Sequence, residues 1–298
     1  MAITMVDTAK QWYRSSRFFY RMSTSQVRLL PDFIIIGTQR GGTTSLYYYL
    51  TEHPGIARAL MKEVHFFDDN FREGLNWYRA QFPSSLQKYY AERIRKEHFI
   101  TGESSPYYLF YPPAPKRISA LVPQAKLIVL LRNPVDRAYS HHWLVTLEGN
   151  ETLSFEEAIK REGERMAGEH EKILANEHYS SFNHRHYSYL ARGIYVDQLK
   201  HWMNYYPKEQ FLILCSEDFY RDPAGVTQQT LEFLGVPGQE IQISKEYKQY
   251  RLARKTGYLQ QQKPPLMPPH VRKYLVDYFK PHNARLSQFL GRDFGWDE

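Results

Sequence analysis

Short apolar runs alternate with helix-like segments along most of this chain of 298 residues. The apolar runs predict four buried strands, at 31–38, 98–103, 125–134 and 210–219. Amphipathic spacing predicts helices at 41–54, 114–122, 136–147, 154–168, 193–207 and 224–236. Strands that alternate with helices indicate an α/β fold, with a mostly parallel central sheet flanked by helices on both faces.

In sheets of this type, ligands bind just beyond the carboxyl ends of the strands. That rule directs attention to the residues that follow three of the apolar runs: 37–45, 102–106 and 132–140. Two further stretches, 168–192 and 244–270, are polar and weakly patterned. They are interpreted as long loops, which serve either as substrate-binding lids or as ordinary surface excursions.

The loop after the first strand has the composition of a phosphate site. Its glycines let the backbone approach an anion closely, and the N–H groups of the following helix start add donors. The spacing of Gly37 and Gly42 matches the P-loop of ATP and GTP enzymes, so a P-loop-like sheet is expected. However, Thr43 stands where those enzymes carry lysine, and Arg132 stands where a magnesium-binding aspartate is expected. Both departures argue against a nucleotide kinase or other NTPase.

The segment RGGTTSL, at 40–46, resembles the 5′-phosphosulfate-binding loop of sulfotransferases that use 3′-phosphoadenosine 5′-phosphosulfate (PAPS). The segment LRNPVDRAYS, at 131–140, resembles the 3′-phosphate site of the same family. The resemblance implies a cofactor site for PAPS, and for its product adenosine 3′,5′-bisphosphate (PAP), made of Arg40, Gly41, Gly42, Thr43, Thr44, Ser45, Arg132 and Ser140. The alternative for Arg132 is a salt bridge with a carboxylate.

A third segment, KEVHFFD at 62–68, resembles the heparan sulfate 3-O-sulfotransferases. The resemblance implies that Glu63 is the general base, because an acceptor hydroxyl must lose its proton as it attacks sulfur. It also implies that Arg40 neutralises the leaving oxygen and that His65 hydrogen-bonds the carboxylate or the acceptor. The alternatives are a surface salt bridge of Glu63 with Lys62 or Arg58, and a structural role for His65. No metal is required by this mechanism.

Weaker matches at 74–78, 101–108 and 289–296 extend the resemblance to the end of the chain. We therefore expect an N-terminal extension at 1–30 and a single sulfotransferase domain at 31–298. Ser104 departs from the lysine that animal members often carry at that position. The family's cofactor-covering Lys-Gly-Arg motif does not occur, and its candidate substitutes are Arg254, Lys255 and Lys263.

Composition narrows the choice of partner. The chain has 39 basic and 32 acidic side chains, a net charge of +7. Because the basic residues are dispersed, this charge favours an anionic small molecule over nucleic acid. The single cysteine, Cys215, excludes an intramolecular disulfide and lies in an apolar run that predicts burial. This usage predicts a cytoplasmic location, unlike that of the disulfide-bearing animal relatives.

No apolar run in the sequence is long enough to span a membrane. The segment 11–21 is basic and aromatic. It is interpreted as a helix packed on the domain, with a membrane surface or a partner subunit as the other possibilities. A homo-oligomer is compatible with the sequence.

The acceptor is the least defined part of the sequence interpretation. The resemblance implies a hydroxyl or an amine, on a glycan or on a small metabolite or natural product. Tyr187, Tyr189 and Trp202 are candidates for stacking on sugar rings, although helical spacing favours a core position for Trp202. A P-loop nucleotide kinase and a non-catalytic nucleotide-binding protein are the rival functions.

Overall fold

Five parallel strands form one sheet in a computed structural model that describes residues 16–238 and 265–297. The strands are β1 (Phe33–Gly37), β2 (Ile56–Arg58), β3 (Ile100–Ser104), β4 (Lys126–Leu131) and β5 (Phe211–Cys215). Their spatial order is β2-β3-β1-β4-β5. The predicted parallel α/β architecture is confirmed.

Thirteen α-helices with bounds inside the described ranges surround the sheet. They are α1 (Thr43–Leu50), α2 (Gly74–Ala80), α3 (Ser85–Tyr89), α4 (Ala114–Leu121), α5 (Pro134–Leu147), α6 (Phe155–Lys160), α7 (Glu162–Met166), α8 (Glu169–Ala175), α9 (Phe182–His186), α10 (Tyr195–Trp202), α11 (Ser216–Arg221), α12 (Pro223–Leu234) and α13 (Pro269–Leu290). A π-helical turn, Tyr90–Ile94, directly continues α3. Short 3-10 turns cover Ser25–Val27, Phe71–Glu73, Ala191–Gly193 and Lys208–Gln210.

The central strand β1 explains why the candidate residues meet. Phe33 is in register with Gly102 of β3 on one side and with Lys126 of β4 on the other. Because the strands are parallel, the carboxyl ends of β1, β3 and β4 lie side by side at one edge of the sheet. The loop at 38–42, the segment after Ser104 and the segment that begins at Arg132 all start from that edge.

Alternate side chains of the strands form hydrophobic cores on opposite faces of the sheet, as strand geometry requires. Ile34 and Ile36 belong to the larger core, which α4 and α10 help to cover. Phe33 and Ile35 belong to the second core, which α1 and α12 cover. Every residue of β1 is buried, so this strand reads as a continuous apolar run in the sequence.

The bounds of most predicted elements shift by a few residues in the structure, and two predicted elements continue into or divide into different elements. The predicted strand at 210–219 ends at Cys215, and α11 begins at Ser216 because Glu217 and Asp218 favour a helix N-terminus. The predicted helix at 154–168 is two helices, α6 and α7. The break at 161 brings the buried carboxylate of Glu162 to the backbone N–H groups of Leu190 (2.6 Å) and Ala191 (2.8 Å), and these bonds compensate for its burial.

Several elements are absent from the sequence interpretation. Strand β2 has three residues, and the predicted loop at 168–192 contains the short helices α8 and α9. The 22-residue helix α13 buries Val271, Leu275, Phe279 and Leu286 along one face. Pro281 interrupts this pattern inside the helix. Most of the predicted loop at 244–270, including Arg254, Lys255 and Lys263, lies outside the described residues.

The described part of the N-terminal segment, residues 16–21, packs on the domain, as its preferred interpretation predicted. Residues 16–23 are helical, and the ring of Phe18 contacts that of Trp77 edge-on at 6.4 Å between centroids. Cys215 is buried, which confirms its predicted core position. Among the described residues, no helix is long and apolar enough to cross a membrane. The cytoplasmic location and the division at residue 31 stay predictions.

Candidate functional site

The loop between β1 and α1 contains two residues with unusual backbone conformations. Arg40 (φ 72°) and Gly42 (φ 95°) are both left-handed, and Gly42 is the N-cap of α1. Gly41 lies so close to β4 that an added Cβ would be 2.7 Å from the carbonyl oxygen of Leu130. The hydroxyl of Ser216 fixes the loop from the other side by donating to the Gly41 carbonyl (2.6 Å). The loop therefore presents the N-terminus of α1 in a defined orientation.

The first turn of α1 offers donors to an anion. Thr43, Thr44 and Ser45 line a cavity of about 380 Å³ at the carboxyl edge of the sheet. Helix geometry leaves the backbone N–H groups of the first turn without intrahelical carbonyl partners. The N-cap residue, Gly42, has no side chain that could accept hydrogen bonds from these N–H groups. These N–H groups and the positive end of the helix dipole make this wall of the cavity suited to a phosphate or sulfate group.

Arg40, Arg132 and Ser140 form a connected group beside that turn. Arg132 donates from Nη1 to the backbone carbonyl of Arg40 (3.0 Å), and Arg40 donates from Nε to the hydroxyl of Ser140 (2.9 Å). Asn133 begins α5 by accepting a hydrogen bond from the N–H of Val135 (2.9 Å), which aims α5 so that Ser140 returns to this edge. The structure thus brings together three predicted site residues from segments 92 to 100 positions apart.

Six of the eight predicted cofactor residues line the cavity, together with both Glu63 and His65. The exceptions are Gly41, whose role is the close contact with β4, and Ser140, which reaches the site through Arg40. Arg132 makes no salt bridge with any residue in the described ranges, so its carboxylate-pairing alternative is not what the structure shows. Whether these residues bind the cofactor stays a prediction.

Glu63, His65 and Asp68 form a hydrogen-bonded series on the opposite wall. His65 Nδ1 lies 2.8 Å from Asp68 Oδ2, and His65 Nε2 lies 3.4 Å from Glu63 Oε2. The Asp68 side chain is fully buried, whereas 37% of the Glu63 side chain is exposed to the cavity side. Lys62 pairs with Glu63 and donates to the hydroxyl of Thr44 (2.5 Å). Lys62 therefore connects the carboxylate to the first turn of α1.

The charges of this group set its protonation states. Burial acts to raise the pKa of Glu63, but the hydrogen bond from His65 and the charge of Lys62 outweigh it and lower the pKa to about 2. Burial acts to lower the pKa of His65, but the nearby Asp68 carboxylate raises it to about 9. At neutral pH the cavity wall consequently holds an ionised Glu63 beside a protonated His65.

A buried carboxyl group supports this wall from below. Glu103, at the end of β3, is fully buried and accepts hydrogen bonds from Tyr78 (2.7 Å) and Ser105 (2.7 Å). Burial raises the pKa of Glu103 to about 7. Ser105 in turn accepts a hydrogen bond from the backbone N–H of His65 (3.0 Å). His65 has a left-handed φ of 52°, so these contacts fix an otherwise unfavourable backbone conformation.

The sequence interpretation missed two cationic residues of the cavity. Arg185 and Arg192 both line it, from the segment predicted to be a loop. The Arg192 guanidinium is buried, bonds Gln39 and donates to the His184 carbonyl (3.1 Å). Burial lowers its pKa to about 9. The lack of clear periodicity in 168–192 hid these residues, although that segment was a candidate substrate-binding region.

Two of the proposed stacking residues cannot serve that role. Tyr189 and Trp202 are completely buried, and Trp202 donates from Nε1 to the backbone carbonyl of Leu109 (3.1 Å). Trp202 is part of the larger core, which confirms its preferred interpretation. Tyr187 is half-buried and donates its hydroxyl to the backbone carbonyl of Asn150 (2.9 Å).

One group of side chains in the described ranges has the spacing of metal ligands. Potential ligand atoms of His65, Asp68 and Asp69 lie within 4.8 Å of one another. However, Asp68 hydrogen-bonds His65, and Asp69 forms an ion pair with Arg185. These atoms already have protein partners, so the geometry favours an organised acid–base group over a metal site.

A parallel α/β sheet with an anion site at its carboxyl edge defines a class of protein, and comparison of the chain with known protein families identifies that class. The family model described as "Sulfotransferase domain" matches residues 30–282. The chain belongs to this sulfotransferase family, and the resemblance seen in the three sequence segments is confirmed.

Particular relatives agree with this assignment. The chain is 33% identical to mouse heparan sulfate glucosamine 3-O-sulfotransferase 3A1, over 90% of this chain and 65% of the mouse protein. It is 31% identical to human heparan sulfate glucosamine 3-O-sulfotransferase 6, over 90% and 74% of the two chains. A sulfotransferase crystal structure from Alicyclobacillus acidocaldarius is 30% identical and matches with a TM-score of 0.64, over 91% of this chain and all of that one. The chain thus spans just under two thirds of the mouse relative.

Proposed function

We propose that this protein transfers the sulfuryl group of PAPS to a hydroxyl or amine of an acceptor. The observation that carries the proposal is the joint position of an anion site and a carboxylate in one cavity, lined by the first turn of α1 and by Glu63. Membership of the sulfotransferase family supports PAPS as the donor. Thr43 in place of the P-loop lysine weighs against a nucleotide kinase.

The residues of the cavity fit a ligand with two separate anionic groups. The N–H groups of the first turn of α1 suit the 5′-phosphosulfate of PAPS. Arg132 and Ser140 suit its 3′-phosphate, because a guanidinium can donate two parallel hydrogen bonds to phosphate oxygens. Arg40 contacts Ser140 and lines the same cavity, so its charge lies near both groups.

In the proposed reaction, PAPS supplies the sulfuryl group and departs as PAP. Glu63 accepts the proton of the acceptor hydroxyl while the new oxygen–sulfur bond forms and the sulfur–oxygen bond to the 5′-phosphate breaks. A carboxylate with a pKa of about 2 is a weak base. It is sufficient because the attacking oxygen becomes strongly acidic as it bonds to sulfur. Arg40 offsets the negative charge that develops on the leaving oxygen.

His65 and Asp68 orient the proposed base. The protonated imidazole donates to Asp68 on one side and faces Glu63 on the other, which fixes the carboxylate toward the cavity. Lys62 restrains the same carboxylate from the α1 side. Because these contacts are made within the protein itself, the carboxylate needs little reorganisation for the reaction.

A glycan hydroxyl is the acceptor that we favour. The names of the relatives 3A1 and 6 refer to glucosamine of heparan sulfate, an anionic glycan. Arg192 adds positive charge to the cavity wall, whereas the charge of Arg185 is paired with that of Asp69. The positive charge of Arg192 favours an acidic acceptor. A small acidic metabolite or natural product has the same electrostatic complementarity, so a panel of both acceptor types is needed to distinguish them.

Nucleotide binding tests the donor assignment. Arg132→Ala is expected to weaken PAP binding by roughly tenfold to a hundredfold, because a charge-assisted contact to phosphate is lost. AMP lacks the 3′-phosphate, so its affinity should change little. Isothermal titration calorimetry with both nucleotides measures the difference, with the exposed Arg72→Ala as the control. Equal losses for PAP and AMP would remove Arg132 from the 3′-phosphate site.

A further inference from the structure

Two segments, 16–28 and 84–97, carry much of the chain's net charge. Together they contain seven Lys or Arg residues and two Glu residues, a net +5 compared with +7 for the whole chain. We call their exposed surface the basic–aromatic patch. None of its residues lines the cavity of the candidate active site.

Direct contacts hold the two segments together. Arg21 donates to the backbone carbonyls of Ala80 (2.5 Å) and Phe82 (2.6 Å), just before the second segment begins. Arg28 donates to the same Phe82 carbonyl (3.0 Å) and forms an antiparallel β-bridge with Ser84, the N-cap of α3. The two segments are therefore adjacent in the fold, where Arg21 and Arg28 meet the stretch from Ala80 to Ser84.

Large apolar side chains of the patch point into solvent. Their exposed fractions are 76% for Phe19, 64% for Tyr20, 73% for Leu86, 58% for Tyr89, 55% for Tyr90 and 60% for Ile94. Along α3 and its π-helical turn these residues recur at helical spacing, while Ala91 faces the protein and is buried. Large apolar side chains thus share the outward face of this helix with exposed polar residues such as Gln87 and Arg93, whereas an ordinary surface helix turns its apolar side chains inward.

Cations surround these side chains. Arg17, Arg93 and Lys96 are exposed and form no salt bridge with another residue that the structure describes. The Lys88 ammonium lies 3.5 Å from the carboxylate of Glu92, one helical turn further along. Exposed aromatic and aliphatic groups flanked by Lys and Arg are the composition of surfaces that lie at an anionic lipid–water interface. A nucleic-acid-binding surface would need the cations but not the exposed aliphatic side chains of Leu86 and Ile94, so the composition favours lipid over nucleic acid.

We propose that the basic–aromatic patch docks on an anionic lipid surface. Leu86, Phe19 and the tyrosines enter the headgroup region, and the neighbouring cations pair with lipid phosphates and carboxylates. The two segments lead into the amino ends of β1 and β3, whereas the cavity lies at the carboxyl edge. This proposal is independent of the proposed reaction.

Vesicle sedimentation with the full chain tests the proposal. We expect binding to vesicles of phosphatidylcholine mixed with phosphatidylserine, little binding to phosphatidylcholine alone, and loss of binding at high salt. Arg93→Ala should reduce the partition coefficient roughly fivefold, the effect of one cation near an anionic surface. Leu86→Ser should reduce it severalfold as well. The control is Tyr274→Ser, which removes a similarly exposed ring (54%) on α13, outside the patch.

Three outcomes would overturn the proposal. They are absence of binding to the anionic vesicles, equal binding to both vesicle types, and unchanged binding of both patch variants. Sedimentation velocity without lipid examines the rival occupant, a second copy of this chain. A concentration-dependent dimer that Leu86→Ser dissociates, combined with no vesicle binding, would assign the patch to self-association instead.

Discussion

At the residue scale, Lys62 has a larger part in the site than its sequence context indicated. Its ammonium group contacts Thr44 of α1 and pairs with Glu63, so one side chain links the proposed donor and acceptor sides. The salt bridge that the sequence offered as an alternative to catalysis by Glu63 does form. It involves a carboxylate that lines the cavity, and its electrostatic effect is to keep that carboxylate ionised.

The pH dependence of activity follows from this pair. The Lys62 charge lowers the pKa of Glu63, so Lys62→Met should raise it. The acid limb of the kcat/KM profile should then move to higher pH, because protonated Glu63 cannot accept a proton. Binding of PAP should also weaken, because the ammonium group contacts Thr44 of the proposed phosphosulfate site. The control Lys88→Met removes a surface cation paired at 3.5 Å with Glu92, away from the cavity. Identical acid limbs for Lys62→Met and the unmodified protein would contradict this role.

At the element scale, the turn from β1 to α1 depends on backbone conformation. Gly42 has a φ of 95°, which L residues with a Cβ adopt only at a cost of roughly 1–2 kcal/mol. Gly42→Ala should lower the free energy of unfolding by about that amount and also weaken PAP binding, since α1 would be reoriented. Urea denaturation and calorimetry measure the two effects.

A matched glycine substitution serves as the control for that experiment. Gly163 lies in α7, has no positive φ, and an added Cβ there would meet nothing within 4 Å. Gly163→Ala should therefore leave stability unchanged or increase it by about 0.4–1 kcal/mol. If both substitutions have the same effect, the left-handed conformation at Gly42 is not the determinant.

The elements differ in how well the sequence predicts them. Strands β1 and β4 are buried on both faces, so their continuous apolar runs identified them. Strand β2 is too short for any periodicity to show, and Pro281 obscured the apolar spacing of α13. The predicted strand end at residue 219 was wrong, because the first turn of α11 directly follows the apolar run that ends at Cys215.

At the scale of the whole molecule, the candidate site is an assembly of distant segments. The three sequence motifs indicated the residues at 40–45, 63–65 and 132–140, and the parallel register explains why they meet. Arg185 and Arg192 come from a segment without a recognisable pattern, so their position depends on tertiary contacts alone. The contact of Arg192 with Gln39, 153 positions away, is of this kind.

The fold also shows where the residues behind the net charge of +7 lie. A net +5 lies on segments 16–28 and 84–97, while Arg40, Arg132, Arg185 and Arg192 line the cavity. In the first group, Arg17, Arg93 and Lys96 are exposed in the same segments as the exposed apolar side chains, whereas Arg28 is buried. The second group lines the same cavity as the ionised Glu63. The sequence alone showed the basic residues as dispersed, because the chain brings them together only when folded.

Transfer of labelled sulfuryl from PAPS to an acidic glycan tests the central claim most directly. The unmodified protein should label the glycan from PAPS and transfer nothing from labelled ATP. Glu63→Gln should lower turnover at least about a hundredfold, the usual contribution of a general base, while binding PAP normally. The control Glu73→Gln changes a carboxylate that lies 3.9 Å from Arg72 and outside the cavity, and it should be fully active. Transfer from ATP, or near-normal turnover of Glu63→Gln, would contradict the account.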